Sequence, residues 1–199
     1  MKELIESIQR DQNQLTELNW RSMAGGALLA ASLLAGSPGD ADAKTTKHHH
    51  HHTSVTQAEQ KIDLDKLLDA IKQVESSDGT NITPRHEPGV EKQLRKKFRH
   101  LNKNVQGAIE KYGYSAIATS YGPYQLLAST CYNMGYQGEV EALKQDSVSK
   151  EWAKKYVQQL RNSSRTKKVE DIISAYNAGL GGIGKNPNYV RQVMHHYKQ

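Results

Sequence analysis

Residues 62–79 read IDLDKLLDAIKQVESSDG, and the fold class follows from this stretch. Behind Ile62, the residues Leu64, Leu67, Leu68, Ile71 and Val74 recur at spacings of three and four, the mark of a helix with one apolar face. The run stops at Ser76-Ser77-Asp78-Gly79, a cluster of turn formers. Glu75 falls one residue after Val74 and four after Ile71, so its carboxyl stands at the edge of the apolar stripe, where the helix meets the core. Apolar surroundings disfavour an ionised carboxylate, so the pKa of Glu75 is expected to rise. An acid catalyst acting on a glycosidic oxygen needs that rise, because it must hold its proton at working pH. A glutamate at a helix end is also a common solvated surface residue, so position alone does not assign the role.

The helical spacing continues downstream. A loop with Pro84 and Pro88 leads into a basic helix from Val90 to Leu101, and a further helix is predicted to begin near Pro123, since proline is tolerated in a first turn. Glu139–Lys144, Ser147–Leu160, Val169–Ala178 (closed by Gly179) and Asn188–Tyr197 complete the set. No alternating run has the length of a strand. These patterns predict a compact all-α domain over residues 58–199.

The first quarter reads differently. Residues 1–22 are polar with a weak helical pattern, and residues 23–36 turn abruptly small and apolar (MAGGALLAASLLAG). Arg21 precedes that run, and Ala41-Asp42-Ala43 follows it. Residues 23–43 therefore have the parts of a secretory signal cleaved after Ala43. Four acids against three bases before the apolar run are unusual for such a signal, and the alternative is a retained segment that touches a membrane through residues 23–36. The run is too short to cross a bilayer, which takes about 20 residues. Residues 44–57 form a linker with five histidines, His48–His52, read as an inert spacer, a tag or a native tract; no functional metal is assigned to it.

Charge and composition narrow the partners. Residues 1–55 hold five Lys/Arg against six Asp/Glu, whereas residues 56–199 hold 22 against 15. A basic folded part favours an anionic partner such as cell-wall polymer, nucleic acid or a membrane surface. The basic residues are spread over several helices with no nucleic-acid motif, so no nucleic-acid partner is expected. Ten tyrosines against one phenylalanine and two tryptophans give an amphipathic aromatic set, suited to a site wet at one end and apolar at the other. Cys131 is the single cysteine, which excludes an intrachain disulfide; among Leu126, Leu127 and Met134 it reads as a small buried hydrophobe rather than a nucleophile.

Three motifs in order resemble those of the soluble lytic transglycosylases, glycoside hydrolase family 23. Val74-Glu75-Ser76-Ser77 is similar to the family's Glu-Ser motif, and Ser120-Tyr121-Gly122-Pro123-Tyr124-Gln125-Leu126 to its Gly-Leu-Met-Gln motif. Ala175-Tyr176-Asn177-Ala178-Gly179 matches its Ala-Tyr-Asn-Ala-Gly motif residue for residue. The resemblance runs from about Lys61 to Tyr197 and implies a lysozyme-like domain of the goose type. It further implies that Glu75 serves first as acid and then as base, that Gln125 lines a glycan groove, that Tyr176 reaches toward Glu75, and that Asn177 holds an N-acetyl sugar. Tyr124 and Ser76, inside the same motifs, complete the expected substrate-binding set. Read from packing alone, Tyr176 is a core aromatic beside Ile172 and Ile173, and Asn177 is a helix-end residue.

The implied reaction cleaves the β-1,4 bond between N-acetylmuramic acid and N-acetylglucosamine in peptidoglycan strands and forms a 1,6-anhydro ring, with no metal or cofactor. Pro123-Tyr124 stands where the family has Leu-Met, which alters the expected groove wall. The interval from Glu75 to Gln125 is long and contains Arg85-His86-Glu87-Pro88 and the basic run Arg95-Lys96-Lys97. Arg-x-Glu in that place resembles phage-associated members, so a periplasmic or cell-envelope setting and a virion-associated one are both expected. Two alternatives stay open. One is a muramidase on the same fold, with water positioned by Asp78, Glu87 or Asp171; the other is a non-catalytic wall-binding or virion-assembly module.

Overall fold

Asp63 starts the first helix: its carboxylate accepts the Lys66 N–H at 3.1 Å, satisfying one donor that the helix itself cannot. The computed structural model describes residues 62–199, so the expected segments 1–22, 23–43 and 44–57 lie outside the described residues. In chain order the elements are α1 (Leu64–Ser76), β1 (Arg85–His86), α2 (Pro88–Lys97), α3 (Lys103–Ile117), β2 (Thr119–Tyr121), β3 (Leu126–Leu127), α4 (Ala128–Asn133), α5 (Asp146–Arg161), α6 (Val169–Ala178) and α7 (Pro187–Lys198). Short 3-10 turns occupy Phe98–His100, Val140–Lys144 and Leu180–Gly182.

The described residues are mostly helical, as the periodicity predicts, with one correction to an all-α reading. The three strands form an antiparallel sheet in the order β1-β2-β3, with Arg85 opposite Ser120 and Tyr121 opposite Leu126. Strands of two or three residues are too short for alternation to register in a sequence. The helix expected near Pro123 begins instead at Ala128, because residues 122–125 make the tight turn between β2 and β3. The fifteen-residue α3 was not expected. Gly107 and Gly113 weaken its pattern, and at Gly113 the backbone leaves helical geometry altogether (φ 84°, ψ 162°). α6 has the predicted bounds, and Gly179 closes it by donating to the Ala175 carbonyl at 2.7 Å.

The apolar stripe of α1 lies in the core: Leu67, Leu68 and Ile71 are fully buried, each contributing about 1.5–3 kcal/mol by removal from water. α1 packs chiefly on α7 and also on α5. The two helices α1 and α7 run antiparallel, and both ends are tied. Asp63 N–H donates to the Tyr197 hydroxyl at 3.1 Å, and near the opposite end Tyr189 meets Glu75. Cys131 lies in the same core with no exposed surface, and burial pushes its thiol pKa up to about 12.

Candidate functional site

α1 ends abruptly, and that ending places Glu75. Ser77, Asp78 and Gly79 take φ of 50°, 58° and 85°, three left-handed residues in succession that reverse the chain immediately after the carboxylate. Ser76 organises the turn. It is 2 % exposed, and its hydroxyl donates to the Lys72 carbonyl at 3.0 Å while accepting the Gly79 N–H at 2.8 Å. Ser76, expected in the substrate-binding set, has its side chain turned inward and committed to the backbone.

Glu75 is half-buried in the last turn of α1, and its Oε1 accepts the Tyr189 hydroxyl at 2.8 Å. Burial raises its pKa; the Tyr189 hydrogen bond and the charge of Arg85 oppose the rise, and the charge of Glu87 adds to it. Burial and the neighbouring Glu75 push the Tyr189 phenol well above its ordinary range, so it remains a proton-bearing donor at neutral pH.

The interval that is long in sequence folds back to this carboxylate. Arg85 in β1 pairs through Nε with Glu87 Oε1 at 2.8 Å, and both charges act on Glu75. Next to them Glu91 joins His86 at 2.8 Å to Arg95 at 2.6 Å, and the Arg95 guanidinium lies over the Tyr114 ring at 4.3 Å. Of the three acids considered as a second catalytic carboxyl, Glu87 is the one that acts electrostatically on Glu75. Asp78 is exposed and 3.8 Å from Lys72. Asp171 accepts the Lys167 and Lys168 N–H groups at the start of α6, a structural duty.

The turn between β2 and β3 is set by Gly122. It has φ 73°, and a Cβ there would stand 2.2 Å from the Leu143 carbonyl oxygen and 2.8 Å from Ser149 Oγ. Tyr124, expected in the substrate-binding set, is 1 % exposed, and its ring fills the core. Gln125, half-buried with φ 44°, donates from Nε2 to the Gly122 carbonyl at 3.0 Å. A carbonyl only accepts, so the amide nitrogen is the atom turned toward the Gly122 and Thr83 carbonyls. Its Oε1 has no partner among the described residues and remains available as an acceptor.

Tyr176 lies within range of the Glu75 charge, which with burial raises its phenol well above the ordinary range. Its hydroxyl donates to the Tyr124 carbonyl at 2.8 Å, so it holds the β2–β3 turn, and the phenol hydrogen-bonded to Glu75 is Tyr189. Asn177 is exposed at the end of α6, with its Oδ1 accepting from Asn186 Nδ2 at 2.9 Å. Tyr189 lies outside all three motifs and was missed. The signal was nonetheless present: Tyr189, Val193 and Tyr197 stand four apart and form the α7 face that covers α1.

Among the described residues no cluster of His, Cys, Asp or Glu is arranged to hold a metal, and no helix is long and apolar enough to cross a membrane. Comparison of the chain with protein-family models, with curated proteins and with solved structures finds no match.

Proposed function

We propose that this chain is a lytic transglycosylase that cleaves the MurNAc-β-1,4-GlcNAc bond of peptidoglycan, with Glu75 as its single acid and base on a lysozyme-like helical domain. The observation that carries the reading is the state of Glu75. A half-buried carboxyl with a raised pKa, bonded by a phenol that keeps its proton, combines what a general acid and its conjugate base require. The partly buried Gln125 and exposed Asn177 offer amide groups of the kind that suit acetamido sugars.

In the proposed reaction Glu75 gives its proton to the glycosidic oxygen as the bond to the anomeric carbon breaks. The substrate's own acetamido carbonyl stabilises that carbon. Glu75, now a carboxylate, takes the proton of the muramyl C6 hydroxyl, whose oxygen closes the 1,6-anhydro ring. No water is consumed, and one protein carboxyl suffices, unlike the paired-carboxylate glycosidases. Tyr189 donates to the carboxylate in the interval when Glu75 has no proton. Glycan strands are the partner, in the cell envelope or during entry of a virion.

One observation favours a second reading. Glu87 lies close enough to raise the Glu75 pKa, and it could position water for hydrolysis, making the enzyme a muramidase on the same fold. Mass spectrometry of the products from purified peptidoglycan separates the two. Anhydro-muropeptides support the transglycosylase, reducing-end muropeptides support the muramidase, and no cleavage supports a wall-binding or assembly module.

A further inference from the structure

The connection between α6 and α7 contains a chain of hydrogen bonds whose sense is fixed by two backbone groups, the Gly184 N–H and the Ser174 carbonyl. The Gly184 N–H donates to Ser174 Oγ at 2.8 Å, and a backbone N–H has no other role. The Ser174 hydroxyl must then give its own proton away. Its near acceptor is Asn186 Oδ1 at 2.6 Å; the Gly182 carbonyl at 3.4 Å is the weaker one. On the other side of the Asn186 amide, Nδ2 lies 3.3 Å from the Ser174 carbonyl, which can only accept. The Asn186 NH₂ group is therefore turned toward that carbonyl and toward Asn177, and Asn177 must meet it with Oδ1, at 2.9 Å.

Flipping the Asn186 amide would set its oxygen against the Ser174 carbonyl oxygen and leave the Ser174 hydroxyl only the Gly182 carbonyl at 3.4 Å as acceptor. Ser174 and Asn186 are 2 % and 8 % exposed, so water is not at hand to repair such a mismatch. Asn177, by contrast, is exposed. An unrestrained asparagine amide has a broad, roughly two-fold torsion and presents oxygen or nitrogen with similar ease. Here one end is already occupied.

We propose that Asn186, held by Ser174, is a positioning residue that locks the Asn177 amide with its NH₂ outward, so that this point of the site offers a donor and selects an oxygen acceptor on an N-acetylated glycan. The inference rests on the glycan-cleaving reading. It adds a residue outside the three motifs and gives the sense of the hydrogen bond that substrate must complete.

The test uses the full-length chain carrying Glu75→Gln, so that binding is read without turnover, with chitotetraose (four β-1,4-linked N-acetylglucosamines) as the probe in isothermal titration calorimetry. Asn177→Asp keeps an acceptor for Asn186 Nδ2 but puts oxygen where the NH₂ stood. It is expected to weaken binding about tenfold, the loss of one hydrogen bond, with no change in melting temperature. Asn186→Ala is expected to weaken binding similarly without contacting the sugar. The double variant Asn177→Ala/Asn186→Ala is expected to bind like either single one, a coupling that general structural damage does not produce. Wild-type affinity in Asn177→Asp, or in a folded Asn186→Ala, overturns the proposal; so do single effects that add in full. Should Asn186→Ala not fold, Asn177→Asp at its exposed position decides the orientation alone. Failure of the Glu75→Gln parent to bind chitotetraose overturns the glycan reading and this proposal with it, whereas binding unaffected by the variants overturns the proposal alone.

Discussion

The Tyr189 hydroxyl donates to Glu75 Oε1 at 2.8 Å and joins the first turn of α7 to the last turn of α1. The contact spans 114 positions in the chain, so the helix that covers the core also acts on the proton affinity of Glu75, which burial raises. Because the phenol favours the ionised form, it works against the burial that raises the pKa.

Tyr189→Phe removes that opposition. The Glu75 pKa is expected to rise further, and the alkaline limb of the pH–rate profile, where the acid loses its proton, should move to higher pH. Stability should change by roughly 1 kcal/mol, the usual net worth of a hydrogen bond. Tyr176→Phe should behave differently. It leaves the Tyr124 carbonyl unpaired at a buried position, costing about 1–3 kcal/mol, while the profile stays in place. A profile that moves with Tyr176 and not with Tyr189 would show that the phenol assignment is wrong.

Glu75→Gln is expected to abolish cleavage of peptidoglycan, since acid–base assistance is worth about 10²–10⁴-fold. It should also stabilise the protein at pH 7. The folded pKa of Glu75 stands above its unfolded value, so the fold holds the proton more tightly than the unfolded chain. Stability therefore falls as pH rises from the ordinary carboxylate range through the raised folded value. The amide carries no such cost and can still accept from Tyr189. Denaturation midpoints should favour the variant at pH 7 and converge below the ordinary carboxylate range; a variant less stable at pH 7 would contradict the desolvated setting.

Gly122→Ala tests the turn that presents Gln125. The new methyl would meet the Leu143 carbonyl oxygen, a backbone atom that cannot step aside, at a positive φ. A loss of about 2–5 kcal/mol is expected from left-handed strain together with overpacking. Urea midpoints measure it directly, and a loss below about 1 kcal/mol would mean that the turn rearranges without difficulty.

Legibility in the sequence followed element length and chain distance. α1 and α6 were readable because their apolar faces repeat over ten or more residues and end at clear stop signals, Ser76-Ser77-Asp78-Gly79 and Gly179. α3 was hidden by Gly107 and Gly113, and the sheet by strands too short to show a period. In the site, Glu75 could be placed from its spacing to Ile71 and Val74 because both neighbours are local. Its phenol partner depends on how α7 docks across α1, and no local pattern distinguishes a hydroxyl that reaches Glu75 from one that reaches the Tyr124 carbonyl.

The burial of Cys131 gives the protein a built-in reporter. Its thiol is alone in the chain, has no exposed surface, and holds its proton up to about pH 12. A thiol reagent can therefore reach it only when the core opens, and only the thiolate reacts. Labelling by a small disulfide reagent at pH 8 should proceed at the rate set by global opening and accelerate with urea in step with the equilibrium unfolding curve. Any substitution in the core, including Gly122→Ala, can then be scored by one chemical rate in place of a spectroscopic melt. Fast labelling in native buffer would show that the region around α4 opens on its own.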